Sequence, residues 1–339
     1  MNALDGAPCR RQFLRILGAG AFTRACTFRA AAAAGAGSKP FNGLFPIGQT
    51  PFTESNQLDL DCLQAEVRFC NRGGVHGFVW PQIASGWSTL SEEERLDGAE
   101  AILAAGKGGS TALVIGVQAA TADQALQYAR HAEKRGADAI VSLPPPNVTD
   151  EKVLLAYYKQ IGDSTSLPLF VQSQGEMSVD LIVEMFRSIP SMRVVKDEAG
   201  IPLQRITEIL DRTSGRLAVF AGNGVRTMID EMRLGFAGHC PTTGLADVYQ
   251  SAWDLWHAGK HSEAFDMFGR ILAFEATPGA GSYVLVARGV FKETTRSRPA
   301  PGMGSGGGRG GRRELPLDAR EKQVIRDVLN TYMKPYLRA

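Results

Sequence analysis

The sequence has few cysteines, no clear excess of either charge and, beyond its first 40 residues, no long apolar run. Five cysteines occur among 339 residues. The three beyond residue 40 (Cys62, Cys70 and Cys240) are odd in number and lack C-x-x-C spacing, which argues against a disulfide framework and a zinc site. The 37 Lys and Arg residues nearly balance the 35 Asp and Glu residues, so no global field points to nucleic acid as a partner. No later stretch is long and apolar enough to span a bilayer. These absences favour a globular protein that binds a small polar metabolite.

The first 38 residues differ in character from the rest of the chain. Arg10 and Arg11 precede a short apolar run and an alanine-rich tract, a pattern that resembles a twin-arginine export signal. We predict that residues 1–38 form this signal and that the protein is periplasmic or secreted. Arg24 and Arg29 interrupt the region that should be uncharged, so the alternative of a cytoplasmic protein with a non-functional N-terminal extension stays open.

Beyond residue 40, short apolar runs alternate with longer amphipathic stretches, which predicts strands followed by helices. Near-continuous Val, Ile and Leu runs indicate strands buried on both faces and therefore a parallel sheet. Eight such units predict an α/β fold, a TIM (β/α)8 barrel over residues 39–245, with an open Rossmann-like sheet as the alternative. Residues 246–339 are predicted to add C-terminal helices, with a Gly/Arg-rich linker at 296–313. The predicted strand segments are GLFPIGQT, VHGFVWP, TALVIGV, ADAIVSLP, LPLFVQS, MRVVKDE, RLAVFAGNG and FAGHCPTT.

The segment VVKDEAG, residues 194–200, ends a hydrophobic strand on Lys196. In a parallel barrel the active site lies at the carboxyl ends of the strands, so a polar residue in that position carries functional weight. An amine whose stem lies in apolar surroundings has a depressed pKa and becomes nucleophilic. On position alone, a lysine at the barrel rim paired with Asp197 or Glu198 is an equally good interpretation.

Several segments at consistent spacing resemble one known family. Over about residues 40–336 the chain is similar to the dihydrodipicolinate synthase and N-acetylneuraminate lyase family. The resemblance implies a class I Schiff-base enzyme that cleaves or condenses pyruvate-type 2-oxo acids on a TIM barrel. It further implies that Lys196 forms the imine, that no metal or organic cofactor is needed and that the protein is a homo-oligomer, a dimer or tetramer. The matching segments are PF at 51–52, GVHGF, STLSEEER, GADAI, LPLF, VVKDEAG, AGNG and RLGFAGHC.

The chain departs from this family at the residues that move protons. Where members carry G-T-T-G-E, residues 82–86 read QIASG, so both threonines are missing. Pro146 and Gln172 stand where members have tyrosines, and Met177 stands where they have an arginine. Because an amide cannot exchange a proton as a phenol can, dihydrodipicolinate synthase activity itself is not expected.

The remaining candidates are Lys196 as catalytic residue and a group of residues that line the site of family members or replace their polar groups. Glu198 and His239 are possible substitutes for the lost acid and base, although strand-end packing is the preferred interpretation of His239. No metal ligands are predicted. The predicted substrate-binding residues are Ala84, Ser85, Gln172, Gly222 and Cys240.

These observations predict a lyase of the aldolase or dehydratase type. It would act on a pyruvate-like or sugar-derived 2-oxo acid through a lysine Schiff base. The alternative is a catalytically impaired barrel that binds a carboxylate or sugar acid or serves in oligomerisation. The predicted partner is in either case a small molecule, with no nucleic acid and, after signal removal, no membrane. Formation of an imine on Lys196 discriminates the two hypotheses.

Overall fold

The structure is a computed structural model that describes residues 39–200, 202–299 and 315–339. The predicted export signal, residues 1–38, lies outside the described residues, as do positions 300–313 of the predicted linker. Within the described part of the chain, no helix is long and apolar enough to cross a membrane.

Eight strands form one parallel sheet in which neighbours along the chain are neighbours in space. β1 pairs with β8, and a parallel bridge between Ile47 and Val79 links the ends of β1 and β2. The sheet therefore closes into a barrel, which confirms the predicted TIM barrel and rules out the open sheet. The strands are β1 Gly43–Leu44, β2 Gly77–Trp80, β3 Ala112–Gly116, β4 Ala139–Ser142, β5 Leu169–Gln172, β6 Met192–Asp197, β7 Ala218–Ala221 and β8 Gly238–His239.

Alternate residues of each strand face the barrel interior, because successive side chains of a strand point to opposite faces. Three phenylalanines fill much of this interior, with the Phe45 ring centroid 5.0 Å from that of Phe220 and 6.0 Å from that of Phe170. The other face of each strand packs against the surrounding helices. The buried interior residues are Phe45, Ile47, Val79, Ala112, Val114, Ala139, Val141, Phe170, Val194, Phe220 and Cys240.

The helices begin and end at the residue types expected from the sequence. Ser91 caps its helix by accepting a hydrogen bond from the Glu94 amide, while the Glu94 side chain accepts one from the Ser91 amide, which satisfies two exposed amides at once. Gly136 follows another helix at φ 84°, a left-handed conformation that glycine adopts without steric cost. The helices are α1 Leu60–Gly73, α2 Glu92–Ala105, α3 Ala122–Arg135, α4 Glu151–Ser164, α5 Val179–Ser188, α6 Pro202–Thr213, α7 Met228–Arg233, α8 Ala246–His257, α9 His261–Glu275, α10 Ala280–Ala287 and α11 Ala319–Val328.

The described residues after β8 are mostly helical and form α8, α9, α10 and α11. α8 and α9 are separate helices because the chain turns at Gly259, whose φ is 77°. α8 packs against α1 and β1 on the outside of the barrel, and α9 packs against α8. α11 continues into a π-helical turn at Leu329–Met333. α10 packs against the short turn that follows β8, and its Gly281 carbonyl accepts a hydrogen bond from Gln49 Nε2.

Candidate active site

Lys196 lies on the inner face of β6, next to the strand's last residue. Its backbone pairs with Gln172 of β5 and with Phe220 of β7, and its side chain is only 9% exposed. Val194, two residues earlier, and the three interior phenylalanines place apolar atoms below it. The amine therefore lies at the carboxyl end of the barrel, above an apolar interior.

The partner of Lys196 is Glu198, two residues further along the chain. The Lys196 Nζ lies 3.0 Å from Glu198 Oε1, and the Glu198 side chain is 13% exposed. Residues i and i+2 of an extended chain lie on the same face, so both side chains point to the barrel axis. Of the two ion pairs considered from the sequence, the structure has the one with Glu198.

Gln172 holds the other side of the same carboxylate. Its Nε2 donates a hydrogen bond to Glu198 Oε2, and its side chain is buried. Within the described residues, the Gln172 Oε1 is buried without a hydrogen-bond partner. The Gln172 amide thus binds the carboxylate beside the lysine, and its role in substrate binding stays a prediction.

Asp197 points away from the site and fixes the backbone between Lys196 and Glu198. Arg205 of α6 donates to both carboxylate oxygens of Asp197, at 2.9 and 3.0 Å. The Ser173 hydroxyl donates to Asp197 Oδ1 at 2.5 Å. The same hydroxyl oxygen accepts hydrogen bonds from the backbone amides of Glu198 and Ala199, at 3.0 and 3.3 Å. This network fixes the backbone at Glu198 and therefore the position from which its side chain extends.

Gly222 is needed because its backbone passes close to the lysine and the carboxylate. A Cβ at this position would lie 1.6 Å from Glu198 Oε1 and 2.8 Å from Lys196 Cε. Real Cβ atoms essentially never approach a heavy atom closer than 3.0 Å. Only glycine therefore allows Lys196 and Glu198 to occupy these positions together.

Cys240 follows β8 on the inner face and is buried. Burial raises the pKa of its thiol to about 12, against the opposing effect of the Lys196 charge. The thiol is therefore protonated near neutral pH and contributes bulk and weak polarity to the site. The Glu198 carboxylate contacts three of the residues that the sequence proposed for one site, namely Lys196, Gln172 and the backbone at Gly222. The fourth is Cys240, whose thiol pKa is raised by the negative charge of the same carboxylate.

The loop after β2 contains the other two predicted residues. Ala84 packs against the interior cluster to which Cys240 belongs. The Ser85 hydroxyl donates to the Gly48 carbonyl at 2.5 Å and accepts from the Gln82 amide at 3.0 Å. Ser85 thus joins this loop to the segment that follows β1, and its role in ligand binding stays a prediction.

His239 lies on the outer face of β8 and does not point to Lys196. Its ring stacks on Phe236 at 5.8 Å and meets Trp253 of α8 edge-on. Its Nδ1 lies 2.9 Å from Glu231 Oε2 of α7, with both side chains buried. These contacts agree with strand-end packing, the interpretation preferred from the sequence, and leave Glu198 as the acid-base candidate beside the lysine.

No group of three or more His, Cys, Asp and Glu side chains is placed to hold a metal ion in the described part of the chain. What the site offers is an amine, a carboxylate in contact with it and an amide on the carboxylate. An amine that loses its proton adds to a carbonyl carbon, and the neighbouring carboxylate is a suitable acceptor for that proton.

The sequence named Glu198 as a possible acid-base group but did not decide between Asp197 and Glu198 as the partner of Lys196. The alternation of side chains along a strand favours Glu198, which shares a face with Lys196. Ser173 and Arg205 had no comparable signal, because their contacts depend on the placement of β5 and α6 beside β6.

Comparison with known proteins agrees with this architecture. Residues 40–277 match the Dihydrodipicolinate synthetase family. A 4-hydroxy-tetrahydrodipicolinate synthase of Rhizobium meliloti strain 1021 is 32% identical over 175 residues, which are 50% of this chain and 58% of that protein. The chain thus spans about six-tenths of the length of the first curated relatives it matches.

Solved structures show the same fold at low sequence identity. A putative dihydrodipicolinate synthetase from Pseudomonas aeruginosa superposes with a TM-score of 0.72 at 20% identity, covering 85% of this chain and 98% of that one. An N-acetylneuraminate lyase from Mycoplasma synoviae superposes with a TM-score of 0.74 at 16% identity, covering 86% and 98%. At these identities the likeness establishes the fold alone.

Proposed function

The chain belongs to the dihydrodipicolinate synthetase family, and we propose on that premise that it is a lyase acting on a 2-oxo acid. Lys196 forms an imine with the keto carbon of the substrate. The protonated imine then withdraws electrons from the neighbouring carbon, so that a carbon–carbon or carbon–oxygen bond breaks. The substrate is pyruvate-like or derived from a sugar acid.

The observation that carries the proposal is the position of Lys196. It lies at the carboxyl end of a barrel strand, where active sites of this fold lie. Its stem is buried in the barrel, and its amine contacts the Glu198 carboxylate at 3.0 Å. A lysine at the barrel rim that only stabilises the fold does not require a glycine next to it. Here the absence of a side chain at Gly222 leaves room for both the Lys196 amine and the Glu198 carboxylate.

Other residues of the chain argue against 4-hydroxy-tetrahydrodipicolinate synthase activity, which is the activity named for the curated relatives. Ile83 and Ala84 replace the threonines that the family resemblance leads one to expect, and Gln172 replaces a tyrosine. Pro146, at the place of the second tyrosine, is exposed and has no proton to exchange. We propose a related reaction on a different 2-oxo acid, with proton transfer through another group.

Borohydride trapping tests the proposal. The protein is incubated with each member of a panel of 2-oxo acids, reduced with borohydride and analysed by mass spectrometry. We expect an adduct in the native protein and in Lys159→Ala, which removes an exposed lysine of α4. Lys196→Ala should give none.

An adduct that persists in Lys196→Ala would place the chemistry on another lysine and refute the assignment. If folded native protein gives no adduct with any acid, the lyase proposal fails and the alternative of a binding protein takes its place.

A further inference from the structure

We infer that Glu198 is the acid-base catalyst of this site and replaces the proton relay that the chain lacks. The inference rests on the proposed function, because it assigns a role within the imine reaction. It concerns the side chain that contacts the reacting nitrogen atom directly, with Oε1 3.0 Å from Lys196 Nζ.

The distance suits two proton transfers at different atoms. Once an imine forms, the substrate carbon next to the keto carbon is two bonds from Lys196 Nζ. A carboxylate that contacts this nitrogen is within hydrogen-bond reach of a proton on that carbon. One carboxylate can therefore serve both imine formation and proton removal from that carbon.

The other titratable side chains near Lys196 either point away from its amine or keep their proton at neutral pH. Asp197 points outward and is bound by Arg205 and Ser173. Burial keeps the Cys240 thiol protonated, with a pKa of about 12. His239 lies on the outer face against Trp253. Among the described residues of the inner face, Glu198 is thus the group that both contacts the amine and can exchange a proton.

Two positioning residues hold the Glu198 carboxylate in place. Gln172 donates to Glu198 Oε2 and leaves Oε1 directed at Lys196. The Ser173 hydroxyl oxygen accepts a hydrogen bond from the Glu198 backbone amide at 3.0 Å and so fixes the backbone from which the Glu198 side chain extends. Catalytic groups need this kind of support, because small misplacements lower the rate steeply.

The proton balance of the reaction closes with Glu198 alone. The carboxylate takes a proton from the Lys196 ammonium, and the neutral amine adds to the keto carbon to give a carbinolamine. The carboxylic acid returns its proton to the departing hydroxyl, which leaves as water and yields the protonated imine. The carboxylate then removes a proton from the carbon next to the imine carbon, the C–H electron pair moves into the imine to give an enamine, and the carboxylic acid so formed can return the proton to that carbon.

The test separates imine formation from proton transfer at carbon, with pyruvate in D2O as the probe. Borohydride trapping counts the imine on Lys196, and proton NMR follows the loss of the pyruvate methyl signal as deuterium enters. In native protein we expect both. In Glu198→Gln we expect the deuterium exchange per trapped imine to fall by about 100-fold or more, the usual contribution of a general acid or base.

The controls separate the charge of Glu198 from its bulk and from the fold. Glu176→Gln removes an exposed carboxylate of the β5–α5 loop and should behave as native protein. If Glu198→Gln forms no imine at neutral pH, raising the pH should restore trapping, because solvent then deprotonates the amine, while exchange at carbon stays low. Ser173→Ala should lower exchange per imine, and Ser173→Thr should restore it by returning the hydroxyl.

The outcomes are distinct. Glu198→Gln with native exchange per imine would overturn the role of Glu198 while leaving the imine on Lys196 intact. Native protein that traps neither pyruvate nor any other 2-oxo acid would overturn the proposed function, and the inference with it.

Discussion

Gly222→Ala is predicted to abolish most of the chemistry at a small cost in stability. The new Cβ would lie 1.6 Å from Glu198 Oε1, whereas ordinary contact begins at 3.4 Å, so the carboxylate has to move by about 1.8 Å to restore contact. Such a movement breaks the 3.0 Å ion pair with Lys196. Because the atom in conflict ends a flexible side chain, most of the strain is relieved locally, and we expect a loss of about 1–3 kcal/mol in unfolding free energy, typical of overpacking.

We expect the loss of activity to appear in protein that is still folded. A displacement of about 1 Å in an active site lowers rates by about 100-fold, which corresponds to about 2.7 kcal/mol of activation free energy. The assay is the rate at which a pyruvate imine becomes trappable, with urea unfolding of the same sample. Gly269→Ala is the matched control, since a Cβ at this position in α9 meets no atom within 4 Å. Imine formation at the native rate in folded Gly222→Ala would refute the claim that Glu198 must contact Lys196.

Three further predictions follow from buried ionisable groups. Arg205→Met leaves Asp197 buried without its cation and should lower the unfolding free energy by about 3–5 kcal/mol, measured by urea unfolding; an unchanged midpoint would contradict this. Burial raises the pKa of Glu275 from 4.5 to about 7, so the native state retains a proton that the unfolded state loses, and stability falls as pH rises from about 4.5 to 7. Glu275→Gln should therefore gain more in Tm over native protein at pH 8 than at pH 5, and equal gains would contradict the shift. With a pKa of about 12, Cys240 should resist iodoacetamide at pH 8 until urea unfolds the protein; rapid alkylation in the native state would show that it is accessible.

The barrel was predictable because its strands are short runs of apolar residues separated by capped helices. In the segment MRVVKDE, for example, Val194 and Val195 face opposite sides of the sheet and both are buried, so the run shows no alternation and indicates a parallel strand. α10 lies within the region 246–339 for which helices are predicted, but its bounds could not be predicted, because residues 280–287 are almost uniformly apolar and carry no helical period. The division between α8 and α9 depends on one left-handed glycine, Gly259.

Only those site residues could be predicted whose position follows from the sequence of their own strand. Gln172 ends β5 and Lys196 is the last residue but one of β6, and their proximity follows from the order of the strands in a barrel. The choice of Arg205 as the partner of Asp197 could not be predicted, because it depends on the position of α6 relative to β6. The close approach of Gly222 to Glu198 likewise depends on the path of the chain after β7, which the residue types alone do not specify.

The mass of the peptide that contains Lys196, after borohydride reduction in the presence of pyruvate or another 2-oxo acid, tests the central claim most directly. The account predicts that this peptide gains the mass of one reduced substrate in native protein. Folded protein in which this peptide keeps its unmodified mass with every acid of the panel would contradict it.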